Sequence, residues 1–332
     1  MRLGFRMGSR RLGSRRLGSR RLGSRRLGSR RLGSGRLGLT GAAASIVAAS
    51  LAVAIPATAL GGAQRTAAGP SRGPFVALGD SFAAGDLIPA SPAGTPGGCL
   101  RSSHDYGADA AAALGARYID VTCTSATTSS MTQPETVALG GVNPPQFGAL
   151  APDDSVVTLT IGGADVGYTG ILETCAALSL TDLFGDPCRR HYTAGGTDRL
   201  AAAIAATAPK VAAVLRGIHA RAPRARVLLV GYPDILPSTG DGCWPEVPFA
   251  FGDVPYLRGV EIALNQMLAR AAAANGATFV GTYAPTVGHD ACQSPAVKDV
   301  EGLIPASRAY PFHPNRRGEL VMADQVLAAL RS

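Results

Sequence analysis

The sequence predicts an α/β protein in which helices cover both faces of a parallel β-sheet. From residue 75 onward, short apolar runs of strand length alternate with longer stretches of helical pattern. Because strands that alternate with helices form βαβ units, this order is typical of parallel sheets. The predicted strands are residues 75–79, 118–123, 155–161, 226–230 and 278–281. The predicted helices are residues 104–114, 198–221, 255–275 and 315–331, with Asp198 as the N-cap of the second.

The stretch before this domain has the composition of a leader and an export signal. Residues 1–38 repeat Arg-Arg-Leu-Gly-Ser and contain no acidic residue, which predicts a disordered leader. The alternatives are a start codon placed too far upstream and an arm that binds nucleic acid or anionic lipid. Residues 39–59 are apolar and end in Ala-Thr-Ala, as in a secretory signal peptide cleaved after Ala59. An uncleaved membrane anchor is the alternative. A linker (60–73) then precedes the predicted domain (74–332).

The positive charge of the whole chain comes from the leader. The net charge is +9, but 13 of the 32 Lys and Arg residues lie within residues 1–38. The rest of the chain has 19 basic and 23 acidic residues. Its net charge is therefore slightly negative and does not indicate a nucleic-acid partner. Roughly 270 residues follow the predicted cleavage site, which is enough for one sizeable α/β domain.

A Gly-Asp-Ser sequence directly follows the first predicted strand. A tight turn there exposes the Ser81 hydroxyl at the carboxyl edge of the sheet, where open α/β sheets bind ligands. Other loops at strand ends carry Ser125, Ala164 and, near the C-terminus, His313. A serine hydroxyl becomes nucleophilic when a base takes its proton, and histidine titrates in the range that this requires. The pattern favours a Ser81–His313 pair over an ordinary turn serine and a surface histidine.

Taken together, these blocks resemble the SGNH (GDSL-type) ester hydrolases. The Gly-Asp-Ser sequence, the Gly-rich loop at residues 162–168 and the late His313 occur in the family's order over residues 74–330. The six cysteines and the Gly-Tyr-Pro sequence at 231–233 resemble the secreted actinobacterial lipase and esterase branch. The resemblance implies a three-layer α/β/α fold with a flavodoxin-like five-stranded parallel sheet. It also implies that Ser81 is the nucleophile.

One catalytic position departs from the family's pattern. Many members carry an Asp three residues before the catalytic His, and here that position is Tyr310. The resemblance therefore implies a Ser81–His313 dyad in which the main-chain carbonyl of Tyr310 orients the imidazole. A distant carboxylate, such as that of Asp290, is the alternative.

The predicted oxyanion hole shows a second departure. The family uses the N–H of the nucleophile, a Gly N–H after the second strand and an Asn side chain. The matching positions are Ser81, Ser125 and Ala164, and the alanine methyl has no donor. Loss of one such donor typically slows acyl transfer by about 100- to 1000-fold. A water or Asp165 is the alternative partner, although an ionised Asp165 would repel an oxyanion.

An even number of cysteines behind an export signal predicts disulfides. The sequence alone does not choose among the pairings, and free buried thiols are the alternative. We expect sequential pairs that close loops over one edge of the sheet, namely Cys99–Cys123, Cys175–Cys188 and Cys243–Cys292. No two cysteines have the close spacing of a zinc site, so we expect neither a metal nor another cofactor.

The sequence therefore predicts a secreted, monomeric serine ester hydrolase of the lipase or esterase type. Its expected partner is a small-molecule or lipid ester, with no nucleic acid and no stable membrane span after cleavage. The alternatives are a weak or inactive domain that binds lipid or glycan, and a carbohydrate O-acetyl esterase. Long loops at residues 86–98, 165–196 and 237–256 are expected over the site. The apolar residues expected to line an acyl groove, or else to form loop cores, are Leu180, Leu183, Phe184, Trp244, Phe249 and Phe251.

Overall fold

The structure is a computed structural model that describes residues 73–138, 140–240 and 242–332. The predicted leader (1–38), the predicted signal peptide (39–59) and all but the last residue of the predicted linker lie outside the described residues. The described residues are those of the predicted hydrolase domain.

A parallel sheet forms the centre of the domain, and this confirms the predicted α/β fold. The strands are β1 (Phe75–Gly79), β2 (Tyr118–Asp120), β3 (Glu135–Thr136), β4 (Val142–Asn143), β5 (Val156–Thr160), β6 (Arg226–Val230) and β7 (Thr278–Val280). Five of them pair in parallel in the order β2–β1–β5–β6–β7, while β3 and β4 form a separate antiparallel pair. The winding direction reverses at β1, and in such sheets the crevice beside the reversal point is where ligands bind.

Burial on both faces explains why the central strands are predicted so closely. Every residue of β1 and β5 is buried, and both are mostly apolar, as expected for strands covered on both sides. The strand β2 ends at Asp120, earlier than predicted, and the Asp120 carboxylate accepts the N–H and hydroxyl of Thr122 at 2.9 and 2.7 Å. Hydrogen bonds to β1 continue past this point, since the N–H groups of Val121 and Cys123 donate to the carbonyls of β1 at 3.1 and 3.0 Å.

Helices form the two outer layers. They are α1 (Ser81–Ala84), α2 (Tyr106–Leu114), α3 (Gly163–Val166), α4 (Tyr168–Ser179), α5 (Pro187–Thr193), α6 (Arg199–Arg221), α7 (Asp253–Ala274), α8 (Tyr283–Thr286) and α9 (Arg316–Arg331). The helices α2 and α9 pack together on one face of the sheet. The longer α6 and α7 pack together on the other face.

The helix α6 begins where the sequence predicts it. The Asp198 carboxylate accepts the N–H groups of Leu200 and Ala201 at 2.9 and 3.1 Å, which confirms it as the N-cap. By length and hydropathy alone this helix could also cross a membrane. Its apolar face lies in the core with Val211 and Leu215 fully buried, which is the packing of a core helix in an α/β layer.

The prediction of a long loop at residues 165–196 is wrong, because this segment contains α4 and α5. The residue before α4 is Gly167 with a positive φ, and neither helix has a capping side-chain hydrogen bond at its N-terminus. The usual sequence signals of a helix start are therefore missing at α4, whereas Asp186 followed by Pro187 is such a signal at α5 and the loop prediction overlooked it. The disulfide Cys175–Cys188 links the two helices covalently.

The three predicted disulfides are all present, and no cysteine of the described residues is free. Cys99–Cys123 ties the segment after α1 to the loop that follows β2. Cys243–Cys292 ties the segment after β6 to the segment after α8. Cys175–Cys188 differs from these two bridges, because it joins two helices and does not close a loop.

Candidate active site

Ser81 follows a turn whose first residue, Gly79, must be glycine. Gly79 has φ +141°, and a side chain there would collide with the carbonyl of Thr160 on β5. Gln146 holds this glycine from both sides: its Oε1 accepts the Gly79 N–H at 2.8 Å and its Nε2 donates to the Gly79 carbonyl at 3.0 Å. Asp80 then caps α1 through the N–H of Phe82 at 3.1 Å, so Ser81 begins the helix at the end of β1.

The structure brings Ser81 and His313 together. The Nε2 atom of His313 lies 2.7 Å from Ser81 Oγ, although 232 positions separate the two residues. The histidine loop is fastened through its backbone, because the Glu301 N–H donates to the His313 carbonyl at 3.0 Å and the Phe312 N–H donates to the Glu301 carbonyl at 3.1 Å. This is the donor–acceptor geometry that a serine nucleophile and its base require.

The prediction that the Tyr310 carbonyl orients the imidazole is wrong by one residue. The Nδ1 atom of His313 lies 2.8 Å from the carbonyl oxygen of Pro311. The Tyr310 carbonyl instead accepts the backbone N–H of His313 at 3.2 Å, which closes a turn. Asp290, the alternative orienter, accepts the Cys292 N–H and a Gln293 side-chain N–H. With Pro311 as acceptor, Nδ1 carries the proton and Nε2 is free to act as a base.

Aromatic rings surround the imidazole and keep it dry. The ring centroids of Phe82, Tyr310 and Tyr168 lie 4.5, 5.3 and 6.0 Å from that of His313. The histidine is 5% exposed. Burial disfavours the imidazolium and lowers the pKa of His313 to about 4, although its contact with the Pro311 carbonyl partly opposes the shift. The base is therefore neutral at physiological pH.

A buried hydrogen-bond chain joins the serine turn to the Gly-rich loop. The Tyr232 hydroxyl donates to Asp80 Oδ2 at 2.6 Å and accepts the N–H of Gly163 at 2.7 Å. Burial raises the pKa of Asp80 to about 7, against the lowering effect of the Tyr232 and Phe82 donors. Sequence reasoning did not assign this role to Tyr232, although its place directly after β6 puts it at the same edge of the sheet as Ser81.

The positions predicted for the oxyanion hole line the same pocket as Ser81 and His313. Both Ser125 and Ala164 are on its wall. Ser125 has φ +66°, the left-handed conformation that glycine prefers. Among the hydrogen bonds of the described residues, none uses the backbone N–H of Ser81 or Ser125 as donor. Two donors are therefore available, and the methyl of Ala164 supplies no third.

Asp165 does not take the place of the missing donor. Its carboxylate accepts the N–H and the hydroxyl of Thr128 at 2.8 and 2.6 Å. The ammonium of Lys210 lies 3.7 Å away. These partners engage both oxygens of the Asp165 carboxylate, and Asp165 is not among the residues that line the pocket of Ser81.

An apolar cavity adjoins the catalytic pocket. Gly163, Tyr168 and Tyr232 line both of them. The cavity has a volume of about 70 Å³, which corresponds to roughly five water-sized groups. Of the six residues predicted to line an acyl groove, only Phe249 is on its wall. The other five do not line it: the ring of Phe251 packs against that of Phe184 with centroids 5.4 Å apart, as in the alternative of a loop core. Leu180 and Phe184 are 76% and 82% exposed.

A metal centre is not part of this arrangement. Within residues 73–138, 140–240 and 242–332, no group of three or more His, Cys, Asp or Glu side chains is placed to hold a metal ion. The chemistry of the site is described by its serine, its histidine and the surrounding backbone donors.

The sequence of this chain matches one family model and several bacterial enzymes. The sequence model of the GDSL-like Lipase/Acylhydrolase family matches residues 77–320. Lipase 2 of Streptomyces coelicolor is 38% identical over 260 residues, which cover 77% of this chain and 85% of that protein. An esterase of Streptomyces scabiei is 29% identical over 291 residues, covering 76% of this chain and 84% of the esterase.

Two crystal structures of Streptomyces proteins have a similar fold. The crystal structure of phospholipase A1 from Streptomyces albidoflavus matches with a TM-score of 0.64 and 25% identity, covering 78% of this chain and 98% of that one. An extracellular lipase from Streptomyces rimosus matches with a TM-score of 0.61 and 23% identity, again over 78% and 98% of the two chains. The second match supports the fold alone.

Substitution of Tyr232 by Phe tests the buried hydrogen-bond chain. We expect the free energy of unfolding to fall by about 1–3 kcal/mol, because the Gly163 N–H loses its acceptor and Asp80 loses a donor. The loss grows as pH rises through about 7, where Asp80 ionises. Urea unfolding measures it. Tyr192→Phe is the control, since the Tyr192 hydroxyl makes no hydrogen bond within the described residues. Equal stability of the two variants would contradict the assignment.

Proposed function

Since the chain belongs to the GDSL-like lipase/acylhydrolase family and is a hydrolase of carboxylic esters, we propose that it works through an acyl-enzyme on Ser81 with His313 as general base. The observation that carries this proposal is the 2.7 Å contact between His313 Nε2 and Ser81 Oγ. The relatives named above are a lipase and an esterase, which fits this chemistry.

Acylation begins with attack of Ser81 Oγ on the ester carbonyl carbon. His313 Nε2 takes the hydroxyl proton as the new C–O bond forms, and the carbonyl electron pair moves to the oxygen. The N–H groups of Ser81 and Ser125 donate to this oxyanion. When the tetrahedral intermediate collapses, the imidazolium returns its proton to the leaving alkoxide. The alcohol departs and the acyl group stays on Ser81.

Deacylation repeats the steps with water as the nucleophile. The neutral His313 takes a proton from water, whose oxygen attacks the acyl carbon. Collapse breaks the bond to Ser81 Oγ, which recovers its proton from His313, and the carboxylic acid leaves. Throughout the cycle the Pro311 carbonyl accepts from Nδ1–H and keeps the ring in the required tautomer.

We place the acyl chain of the substrate in the apolar cavity beside Ser81. The residues shared by the pocket and the cavity, Gly163, Tyr168 and Tyr232, form the passage between them. Each methylene buried there adds up to about fourfold in kcat/KM. This favours esters of longer acyl chains over acetyl esters as substrates and supports lipase or esterase activity.

We also propose that the protein is exported and acts outside the cell as a monomer. Its three disulfides are bonds that persist in oxidising compartments. The apolar segment 39–59 has the pattern of a secretory signal. Neither a nucleic-acid partner nor a membrane anchor is part of the proposal.

Covalent labelling with a fluorophosphonate probe tests the nucleophile. We expect the wild-type protein to be labelled and to hydrolyse p-nitrophenyl butyrate, because His313 activates Ser81. Ser81→Ala should lose the label, and its kcat should fall by about 10⁴-fold or more, as should that of His313→Ala. Circular dichroism checks folding. A folded wild-type protein that takes no label and turns over no ester would favour the alternative of a lipid- or glycan-binding domain.

Restoring the missing donor tests the oxyanion hole. We expect Ala164→Asn to raise kcat by about 100-fold, because a side-chain amide on this wall can reach the oxyanion that Ser81 and Ser125 already contact. The matched control is Ala164→Leu, which adds similar bulk without a donor and should not raise the rate. A rate for Ala164→Asn at or below that of the wild type would contradict this view of the hole.

The buried histidine predicts activity at acid pH. Because the neutral imidazole is the base, kcat/KM should fall only as pH drops through about 4, the lowered pKa of His313. An exposed histidine would lose activity from about pH 6.5. Initial rates across this range, with circular dichroism at each pH, give the result. An acid limb between about pH 6 and 7 in folded protein would show that the base is more solvated than its 5% exposure indicates.

A further inference from the structure

The apolar cavity beside Ser81 has one side chain with an acidic or basic group among the described residues that line it. Of the residues of the described chain that line it, Glu261 alone carries a carboxyl or ammonium group, and it lies on α7. The two phenols on the wall are already occupied, since the Tyr168 hydroxyl donates to the Phe312 carbonyl at 2.9 Å and the Tyr232 hydroxyl donates to Asp80. Glu261 is therefore the one group whose charge can change the character of this cavity.

The hydrogen bonding of Glu261 leaves most of its acceptor capacity unused. Both carboxyl oxygens share the N–H of Ile235, at 3.2 and 3.4 Å, and no other donor of the described residues reaches them. A carboxylate accepts up to about four hydrogen bonds. A group that merely satisfied the Ile235 N–H would not need to ionise, because a neutral amide oxygen does the same.

The surroundings of Glu261 favour its neutral form. Burial, and next the negative charge of Asp234, raise the pKa of Glu261 well above its usual range. The Ile235 N–H and Arg258 act in the opposite direction, and neither outweighs the burial. The titratable and charged groups that face it from the neighbouring elements are Tyr168 on α4, Asp234 after β6, Arg258 on α7, Tyr283 on α8 and Asp290 after it.

Charge at this position decides what the cavity can hold. A neutral carboxyl beside methylene groups keeps its bond to Ile235 and costs little, whereas an ionised carboxylate sealed in by an alkyl chain loses its remaining hydration. A short acyl group that stops before Glu261 leaves that hydration undisturbed. The penalty therefore applies only to acyl chains long enough to reach α7.

We infer that Glu261 sets the acyl-chain preference of the site, so that long acyl chains are accepted when its carboxyl is neutral and rejected when it is ionised. This inference rests on the proposed ester hydrolysis at Ser81. It concerns the ratio of long-chain to short-chain hydrolysis and not hydrolysis itself. No bond forms or breaks at Glu261, which acts by contact with the acyl chain.

The experiment is a comparison of p-nitrophenyl octanoate with p-nitrophenyl acetate between about pH 5 and pH 9. In the wild-type protein we expect the octanoate-to-acetate ratio of kcat/KM to fall about tenfold or more as pH rises and Glu261 ionises. In Glu261→Gln, whose amide oxygen still accepts the Ile235 N–H, the ratio should be high and independent of pH. Titration of His313 or Asp80 affects both esters alike and cancels from the ratio.

A neighbouring variant separates Glu261 from its surroundings. Asp234→Asn removes the negative charge that raises the pKa of Glu261, so the fall in the ratio should occur at lower pH and keep its size. Glu261→Met, which is apolar at every pH, should give the same flat, high ratio as Glu261→Gln and serves if the amide variant does not fold.

Two results would overturn the inference: a wild-type ratio that is constant with pH, or a Glu261→Gln ratio that falls as the wild-type ratio does. Absence of hydrolysis of both esters by folded wild-type protein would instead refute the proposed function. Thermal unfolding of each variant at each pH shows that only folded protein is compared.

Discussion

The hydrogen bond between Ser81 and His313 is the contact on which the rest of the site depends. The parallel sheet brings the two residues close enough to form it. The two residues are 232 positions apart, so no local turn can join them. The reversal of winding at β1 places the end of that strand next to β5, and Gly79 permits a backbone approach that any side chain would block. On the other side, the backbone pairing of Glu301 with Phe312 and His313 positions the imidazole. Both catalytic groups are thus placed by main-chain contacts, which hold a side chain more rigidly than surface residues do.

The site also shows how a histidine can be oriented without a negative charge. A carboxylate would stabilise the imidazolium and raise the pKa of the ring, whereas the Pro311 carbonyl supplies direction with only a partial charge. Phe82, Tyr168 and Tyr310 remove water from the same ring. The carboxyl of Asp80, next to the serine in the chain, is also buried, which raises its pKa to about 7, and it accepts a hydrogen bond from the Tyr232 hydroxyl. Below about pH 7 the pocket therefore carries little net charge, which suits an apolar substrate better than a charged one.

Much of the fold follows from the sequence because buried parallel strands leave a clear record. The apolar runs at β1 and β6 are predicted to the residue, and Ser81 follows from the first of them. The contact of Pro311 with the ring is not predictable in this way, because it depends on a turn in which Phe312 has φ +60°. Tyr232 reaches Asp80 across 152 positions, a contact that no local pattern encodes. The choice between an acyl groove and a loop core stayed open for six apolar loop residues, because hydrophobicity alone does not distinguish Phe249, which lines the cavity, from Phe184, which is exposed.

The Cys99–Cys123 bridge restrains the loop that carries Ser125. Thr124 follows this bridge, and its N–H donates to the Cys99 carbonyl at 3.2 Å, while the Cys123 N–H donates to the Gly79 carbonyl at 3.0 Å. The crosslink thus holds the loop of Ser125 against the end of β1. Under reducing conditions this tether is absent, and the oxygen-stabilising donor on Ser125 is held by backbone contacts only. Formation of the bridge adds a covalent restraint to these contacts, so the position of the Ser125 N–H depends on the redox state of a cysteine pair outside the pocket.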